Sequence, residues 1–241
     1  MRLSDFTVLS FDCYGTLIDW ESGLWAALQP LVARAGGALA REAVLAAFAR
    51  YETAQEAATP DLVYSELLAL VHRRLAAEWN AAPDATADRT FGASAGDWPA
   101  FPDSADALAY LARHYKLVIL SNVDRASFSR SNLRLGGGFA EIYTAEDIGS
   151  YKPDLRNFRY LIDRLAEAGH PPDKILHVAQ SLYHDHLPAN LCGLKSAWID
   201  RRRGSQGWGA TPAPDGTVHY DFRFASLADM VAAHRAEQRG L

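Results

Sequence analysis

Strand-like runs alternate with helix-length segments along this chain, and that alternation favours a parallel sheet with helices on both faces. Phe6–Phe11 reads as a buried first strand, Lys116–Leu120 as a second, Ile142–Thr144 as a short third and Ile175–Val178 as a fourth. Ser196–Ile199 and Tyr220–Phe224 complete the set, and Ser104–His114, Leu155–Ala168 and Leu227–Glu237 carry helical patterns. Pro153 and Pro171 punctuate this half as loop or first-turn residues. In an open parallel sheet, ligands bind beyond the carboxyl ends of the strands. The residues that follow each run are therefore the candidates for chemistry.

Residues from about Ser22 to Ala93 break the rhythm. They are alanine-rich and contain no convincing strand. Leu24, Leu28 and Leu31 share one helical face, as do Val44, Phe48 and Tyr51, and again Leu68, Val71 and Leu75. The expected organisation is an α/β, Rossmann-like core over residues 1–20 and 96–241, with a helical cap inserted at 21–95. Gly92 to Pro102 would carry the chain back to the sheet. A cap so placed would close over the crevice and exclude bulk water.

Asp12-Cys13-Tyr14-Gly15-Thr16 follows the first strand and Ser121-Asn122 the second. Lys152 follows the third, and the fourth leads into Gln180-Ser181-Leu182-Tyr183-His184-Asp185. A carboxylate, a hydroxyl–amide pair, a lysine and a second carboxylate would thus converge on one crevice. A carboxylate buried at a strand end is costly without a counter-charge, and Lys152 is the obvious one.

These four stretches resemble the motifs of the haloacid dehalogenase superfamily. Phe11-Asp12-Cys13-Tyr14-Gly15-Thr16-Leu17 looks like its first motif, and Ser121-Asn122, Lys152 and Asp185 fall in order for the other three. The resemblance covers nearly the whole chain, including a helical cap after the first motif. Phosphatases of that superfamily carry a second aspartate two residues after the nucleophile, as a general acid for a departing alkoxide. They also hold magnesium with acidic residues after the fourth strand. Here those positions are Tyr14, a poor proton donor at neutral pH, and Gln180, which leaves only Asp185. Halide leaves without protonation, and the Tyr-Gly-Thr form of the first motif resembles the type II L-2-haloacid dehalogenases.

The resemblance therefore implies a hydrolase that opens a short 2-haloacid through an aspartyl ester at Asp12. Thr16, Ser121 and Asn122 would hold the carboxylates, Lys152 would keep Asp12 ionised, and Asp185 would orient the hydrolytic water. No cofactor is required on this reading. The alternatives are a magnesium-dependent phosphatase working through an aspartyl-phosphate at Asp12, and a diverged binding protein on the same scaffold.

The chain departs from that group at several positions. Its members carry a cap arginine that assists halide departure; gapless placement puts Ala49 there, with Arg50 one step along and Arg41 further back. One residue on a helix turns a side chain by about 100°. The expected halide contact is Asn122, with Arg50 as helper and Tyr14, Gln180 and His184 completing the substrate pocket. The family's tyrosine six residues after the motif-three lysine is Phe158 here, and Gln180-Ser181-Leu182 does not match its serine and asparagine.

Other features have plainer readings. His184 is either a water-activating base, its ordinary pKa being near neutrality, or a histidine packed at a helix start. Adjacent and alternate positions such as Tyr183-His184-Asp185-His186 rarely converge on one metal. Gly136-Gly137-Gly138 lacks the lysine and hydroxyl of a phosphate-binding loop and reads as a turn. Arg201-Arg202-Arg203 reads as a solvated loop. Trp20, Trp25 and Trp79 either line the gap between cap and core or form the core of the cap. Cys13 reads as a small buried residue.

The balance of 24 basic and 29 acidic residues gives a formal charge of −5, which argues against a nucleic-acid binder. Two cysteines make no secreted framework, and no run approaches 18 apolar residues. The first residues lack the pattern of a signal peptide. The expectation is a cytoplasmic enzyme with a small anionic organic acid as substrate, no nucleic-acid or membrane partner, and a homodimer left open.

Overall fold

The computed structural model describes residues 1–214 and 216–240. Val8–Phe11 (β1), Lys116–Ser121 (β2), Glu141–Thr144 (β3), Ile175–Ala179 (β4), Lys195–Ile199 (β5) and Phe222–Phe224 (β6) form one parallel sheet. Its order is β3-β2-β1-β4-β5-β6. The six expected strands are all present. The first starts two residues later than the apolar run because Phe6 ends a 3-10 turn over Leu3–Asp5.

The central strands are buried on both faces, which is why they read as unbroken apolar runs. Leu9, Phe11, Leu117, Ile119, Leu176 and Val178 join the large core on one face. Val8, Val118, Leu120 and Ile175 point the other way, onto Phe158, Leu161 and Leu165.

The insert after β1 holds four helices: Trp20–Arg34 (α1), Arg41–Ala58 (α2), Tyr64–Glu78 (α3) and Ala85–Gly92 (α4). Leu24, Leu28, Leu31, Val44, Phe48, Leu68, Val71 and Leu75 are fully buried, as their spacing implies, and Tyr51 is half-buried. Gly23 gives α1 room for Trp98, since a Cβ there would lie 2.3 Å from the indole. The insert leaves and returns side by side: Ile18 bridges Ala100, and the Phe101 N–H donates to the Leu17 carbonyl at 3.0 Å.

Ser104–Leu111 (α5) precedes β2, and Arg125–Leu135 (α6) follows it. Gly136, Gly137 and Gly138 all take left-handed backbone after α6, so they form the expected turn. Ala145–Ile148 (α7) and Leu155–Glu167 (α8) connect β3 to β4. A π-helical turn over Leu182–His186 and then Leu187–Leu191 (α9) connect β4 to β5, and Leu227–Gln238 (α10) closes the described chain. The chain runs from β1 outward to β3 and then crosses to β4 on the other side of β1. That reversal opens a crevice at the carboxyl ends of β1, β2 and β4. Among the described residues, no helix is long and apolar enough to cross a membrane.

Candidate active site

Asp12 is the first residue beyond β1, and its N–H donates to the Val178 carbonyl at 3.1 Å. The turn after it is tight: the N–H groups of Thr16, Leu17 and Ile18 all donate to the Cys13 carbonyl. Gly15 makes the reversal with φ of +97°, where a side chain would be strained. The turn brings Thr16 back so that its hydroxyl donates to Asp12 Oδ2 at 2.7 Å, while the Gln180 N–H donates to the same hydroxyl at 2.9 Å. Arg201 braces the turn from outside, donating to the Thr16 carbonyl at 2.9 Å and pairing with Asp103.

Lys152 lies 1% exposed between two carboxylates. Its ammonium donates to Asp12 Oδ1 at 3.0 Å, to Asp185 Oδ1 at 2.6 Å and to the Leu120 carbonyl at 2.9 Å, which uses all three of its hydrogens. Burial opposes its charge, but Asp12 and Asp185 outweigh that and hold it protonated. Burial pushes the Asp12 carboxyl up, against the pull of Lys152. Asp185 is buried too, yet Lys152 and His177 hold it below the usual carboxylate range. His177 Nε2 lies 3.0 Å from Asp185 Oδ1, and its Nδ1 lies 2.9 Å from Ser10 Oγ. With the carboxylate accepting, Nε2 carries the proton and Ser10 donates to Nδ1.

Asn122 is doubly engaged with the lysine's backbone: its Oδ1 accepts from the Lys152 N–H at 2.7 Å and its Nδ2 donates to the Lys152 carbonyl at 2.9 Å. The second hydrogen of Nδ2 goes to Glu56 Oε1 on α2, at 3.0 Å. Glu56 and Glu52, one helical turn apart, form the cap's wall of the cavity with Tyr64, whose hydroxyl donates to Glu52 Oε1 at 2.5 Å. Burial pushes Glu52 up to about 8, and burial with the neighbouring Glu52 pushes Glu56 well up. Between these walls lies a cavity of about 40 Å³, lined also by Tyr14, Trp20, Ser121, Ser181, His184, Asp185 and Thr211. Three buried polar atoms of its lining have no hydrogen-bond partner: Ser121 Oγ, His184 Nε2 and Asp185 Oδ2.

Asp12, Ser121, Asn122, Lys152 and Asp185 thus meet around one cavity, with Thr16 behind Asp12 and Tyr14 at the rim, its hydroxyl 2.9 Å from Ser131 Oγ. His184 faces the cavity; Ser181 Oγ accepts its N–H at 2.9 Å, so it is at once packed at a turn start and presented to the site. Several expectations are corrected. Arg50 lies on the exposed side of α2, paired with Glu78 and over the Tyr51 ring, because one step along the helix turned it away. Arg41 is likewise exposed and bonds Ser22 at 3.3 Å. Gln180 contributes its backbone N–H to Thr16, and its side-chain oxygen sits beside Gly15, outside the cavity. Asn122 has no hydrogen left for a halide. The Arg201–Arg203 run is a loop as expected, with Arg203 exposed, but Arg201 is half-buried against Thr16 and Arg202 pairs with Glu21 and Glu42.

His186 turns away from Asp185, to Ser196 Oγ and the Ala179 carbonyl, so the His-Asp-His run does not converge. Trp20 lines the cavity, while Trp25 and Trp79 pack on the core. Cys13 is buried, and burial pushes its thiol well up. Glu52, Glu56, Tyr64 and His177 were missed. The first two had a signal: Phe48, Glu52, Gln55 and Glu56 continue one apolar stripe of α2 at i+4, i+7 and i+8, so carboxyls were falling on a buried face. His177 sits inside an apolar strand, where its partner could be named only after the sheet was assembled.

A carboxylate at a strand end, held by a lysine and a threonine and facing a closed cavity, can attack an electrophile and be released again by water. The family model for haloacid dehalogenase-like hydrolases matches residues 6–182. Among solved structures, the chain is similar to the defluorinating L-2-haloacid dehalogenase Rha0230, with 21% identity, a TM-score of 0.77 and coverage of 98% of this chain and 99% of that one. It is similar to the L-2-haloacid dehalogenase from Xanthobacter autotrophicus at 18% identity and a TM-score of 0.73, covering 97% and 98%. It is also similar to the HAD-hydrolase YfnB from Bacillus subtilis bound to magnesium, at 17% identity and a TM-score of 0.75, covering 98% and 100%. These identities speak to a shared fold. A comparison with curated proteins finds no match. With most of its length matched by the family model, and with that family's fold, the chain belongs to the haloacid dehalogenase-like hydrolases.

Proposed function

We propose that this hydrolase cleaves a carbon–halogen bond of a small 2-halo compound through an aspartyl ester at Asp12. One Asp12 oxygen attacks the halogen-bearing carbon, a C–O bond forms, and the C–halogen bond breaks with its electron pair leaving on halide. Water then attacks the aspartyl carbonyl, the alcohol is released, and Asp12 is restored; the net products are a 2-hydroxy compound, halide and a proton. The unpartnered Asp185 Oδ2 and His184 Nε2 are the acceptors available to orient that water and take its proton. Burial holds His184 down at about 4, so it is neutral and able to accept at pH 7.

The observation that carries this reading is the residue two places after Asp12. Tyr14 is half-buried and its phenol is pushed well above its usual range, so the position two after Asp12 supplies no acid for an alkoxide, whereas halide needs none. The donor set also fits magnesium poorly. Both Asp12 oxygens are committed, to Lys152 and Thr16, Asp185 Oδ1 is committed to Lys152 and His177, and among the described residues no three acidic, histidine or cysteine side chains converge. We therefore propose catalysis without a metal. A single turnover in heavy-oxygen water should leave the label in Asp12; label in the first product would exclude the covalent route. A parallel screen with phosphate esters should show no magnesium-dependent turnover, and finding one would favour the phosphatase.

A further inference from the structure

His177 is a polar residue in the middle of a strand that is otherwise apolar and buried on both faces. It is fully buried, and so is Ser10, its partner in register on β1. Burying two polar side chains inside a sheet is unfavourable unless their polar atoms are bonded. Here both ring nitrogens are used: Nδ1 lies 2.9 Å from Ser10 Oγ, and Nε2 lies 3.0 Å from Asp185 Oδ1. The Phe158 ring packs edge to face on the imidazole, with centroids 5.0 Å apart at 79°. Serine and phenylalanine together leave the imidazole one orientation.

Asp185 is where this buried chain of bonds reaches the site. Its Oδ1 accepts from two sides, from the Lys152 ammonium at 2.6 Å and from the His177 Nε2–H at 3.0 Å. A carboxylate turns readily about its Cβ–Cγ bond when a single donor holds it, and a second donor fixes its plane. The other oxygen, Oδ2, is buried without a partner in the lining of the cavity. The ring does not relay a proton through this contact, because the nitrogen that meets Oδ1 already carries one.

Resting on the aspartyl-ester reading, we propose that His177 is a positioning residue for the second step, in which it fixes the Asp185 carboxylate so that Oδ2 meets the attacking water. In that step the water oxygen bonds to the Asp12 carbonyl carbon and one of its protons passes to Oδ2. The bond from that carbon to the alcohol oxygen then breaks, the alcohol takes the proton from Oδ2, and the second proton is lost as Asp12 ionises again. The first step does not need the ring, because Asp12 is held by Lys152 and Thr16. Losing the N–H of His177 therefore slows release of the alcohol and lets the ester accumulate on Asp12.

Rapid-quench mixing with 2-chloropropionate separates the two steps, read by chloride released and by the mass of the peptide that carries Asp12. Wild type, His177→Phe, His177→Gln and Asp12→Asn are compared, with thermal unfolding to confirm that each folds. His177→Phe keeps the shape of the ring and drops both nitrogens. The expected result is ester formation within about threefold of wild type and ester breakdown slower by at least about tenfold, the size of losing one hydrogen bond to a charged group. His177→Gln keeps an N–H for Asp185 and should bring breakdown back to within about threefold of wild type. Nitrogen NMR of histidine-labelled wild type should show His177 with its proton on Nε2, and a ring bare at Nε2 overturns the inference. So does breakdown unmoved in His177→Phe, both steps slowed alike, or His177→Gln as slow as His177→Phe, while ester on Asp12 keeps the aspartyl-ester reading standing. Chloride release from every variant and from wild type no faster than with Asp12→Asn overturns the two together.

Discussion

Asn122 of the core and Glu56 of the cap meet at 3.0 Å across the mouth of the cavity, and the same amide group grips the Lys152 backbone at both its N–H and its carbonyl. One side chain therefore fastens the lysine loop to the sheet and the cap to the lysine loop. Its replacement by alanine strands a buried carboxyl and two backbone groups at once. Asn122→Ala should cost about 1–3 kcal/mol of stability. It should also speed hydrogen exchange at the amides of α2 more than at those of β1, because the cap loses its latch. Equal protection in both elements would mean that the contact does not govern closure.

Lys152 balances two buried carboxylates, so removing it leaves charge without a partner. Lys152→Met keeps most of the stem's volume and should destabilise the protein by about 3–5 kcal/mol at neutral pH. The deficit should shrink toward pH 4, because protonating Asp12 and Asp185 relieves it. Urea unfolding at the two pH values measures both parts. A deficit that does not depend on pH would point to lost packing as the cause.

Arg50 is more than half exposed and pairs with Glu78 on the outer side of the cap. Exposed pairs of this kind contribute about 1 kcal/mol or less. Arg50→Ala should leave kcat/KM within about twofold of wild type and stability within about 1 kcal/mol. Steady-state kinetics on any substrate that is turned over settles it, and a loss of about a hundredfold would show that the arginine reaches the site in some other state of the cap.

What could be read from the sequence was whatever rests on local chemistry. Unbroken apolar runs located the strands and period-3.6 patterns the helices of the insert, since burial on two faces or one stripe dictates composition directly. The strand-end rule brought Asp12, Ser121, Lys152 and Asp185 together before any coordinates. What failed depended on rotation or on distant partners. Arg50 failed by one residue of helical phase. Asn122 failed because its hydrogens are claimed by groups 30 and 66 residues away. Arg201 lies in the expected loop, but its side chain turns in to the Thr16 carbonyl, 185 residues distant in sequence. Glu52 and Glu56 were legible in principle, as polar residues on an apolar stripe.

The buried glutamates also leave a mark on stability. Glu52 ionises near its ordinary value of 4.5 in the unfolded chain, while burial raises it to about 8 in the fold. Between those values the folded state binds more protons than the unfolded one, so stability falls as pH rises. His184 and His186, each held down at about 4 by burial, act with the opposite sign: the unfolded chain takes up their protons first, so they favour the fold as pH rises, up to about 6.5. From about 6.5 to 8 the opposing contribution of the histidines fades and the carboxyls dominate. Wild type should therefore lose stability across that window, by on the order of 1–2 kcal/mol from Glu52. Glu52→Gln carries no titrating group and should flatten the decline while leaving the acid side of the profile governed by the histidines. Urea unfolding of the two proteins at half-unit steps from pH 6 to 8.5 reads the difference directly. Parallel curves would mean that Glu52 is already ionised in the fold, and that its negative charge, balanced by a partner, faces the substrate at every working pH.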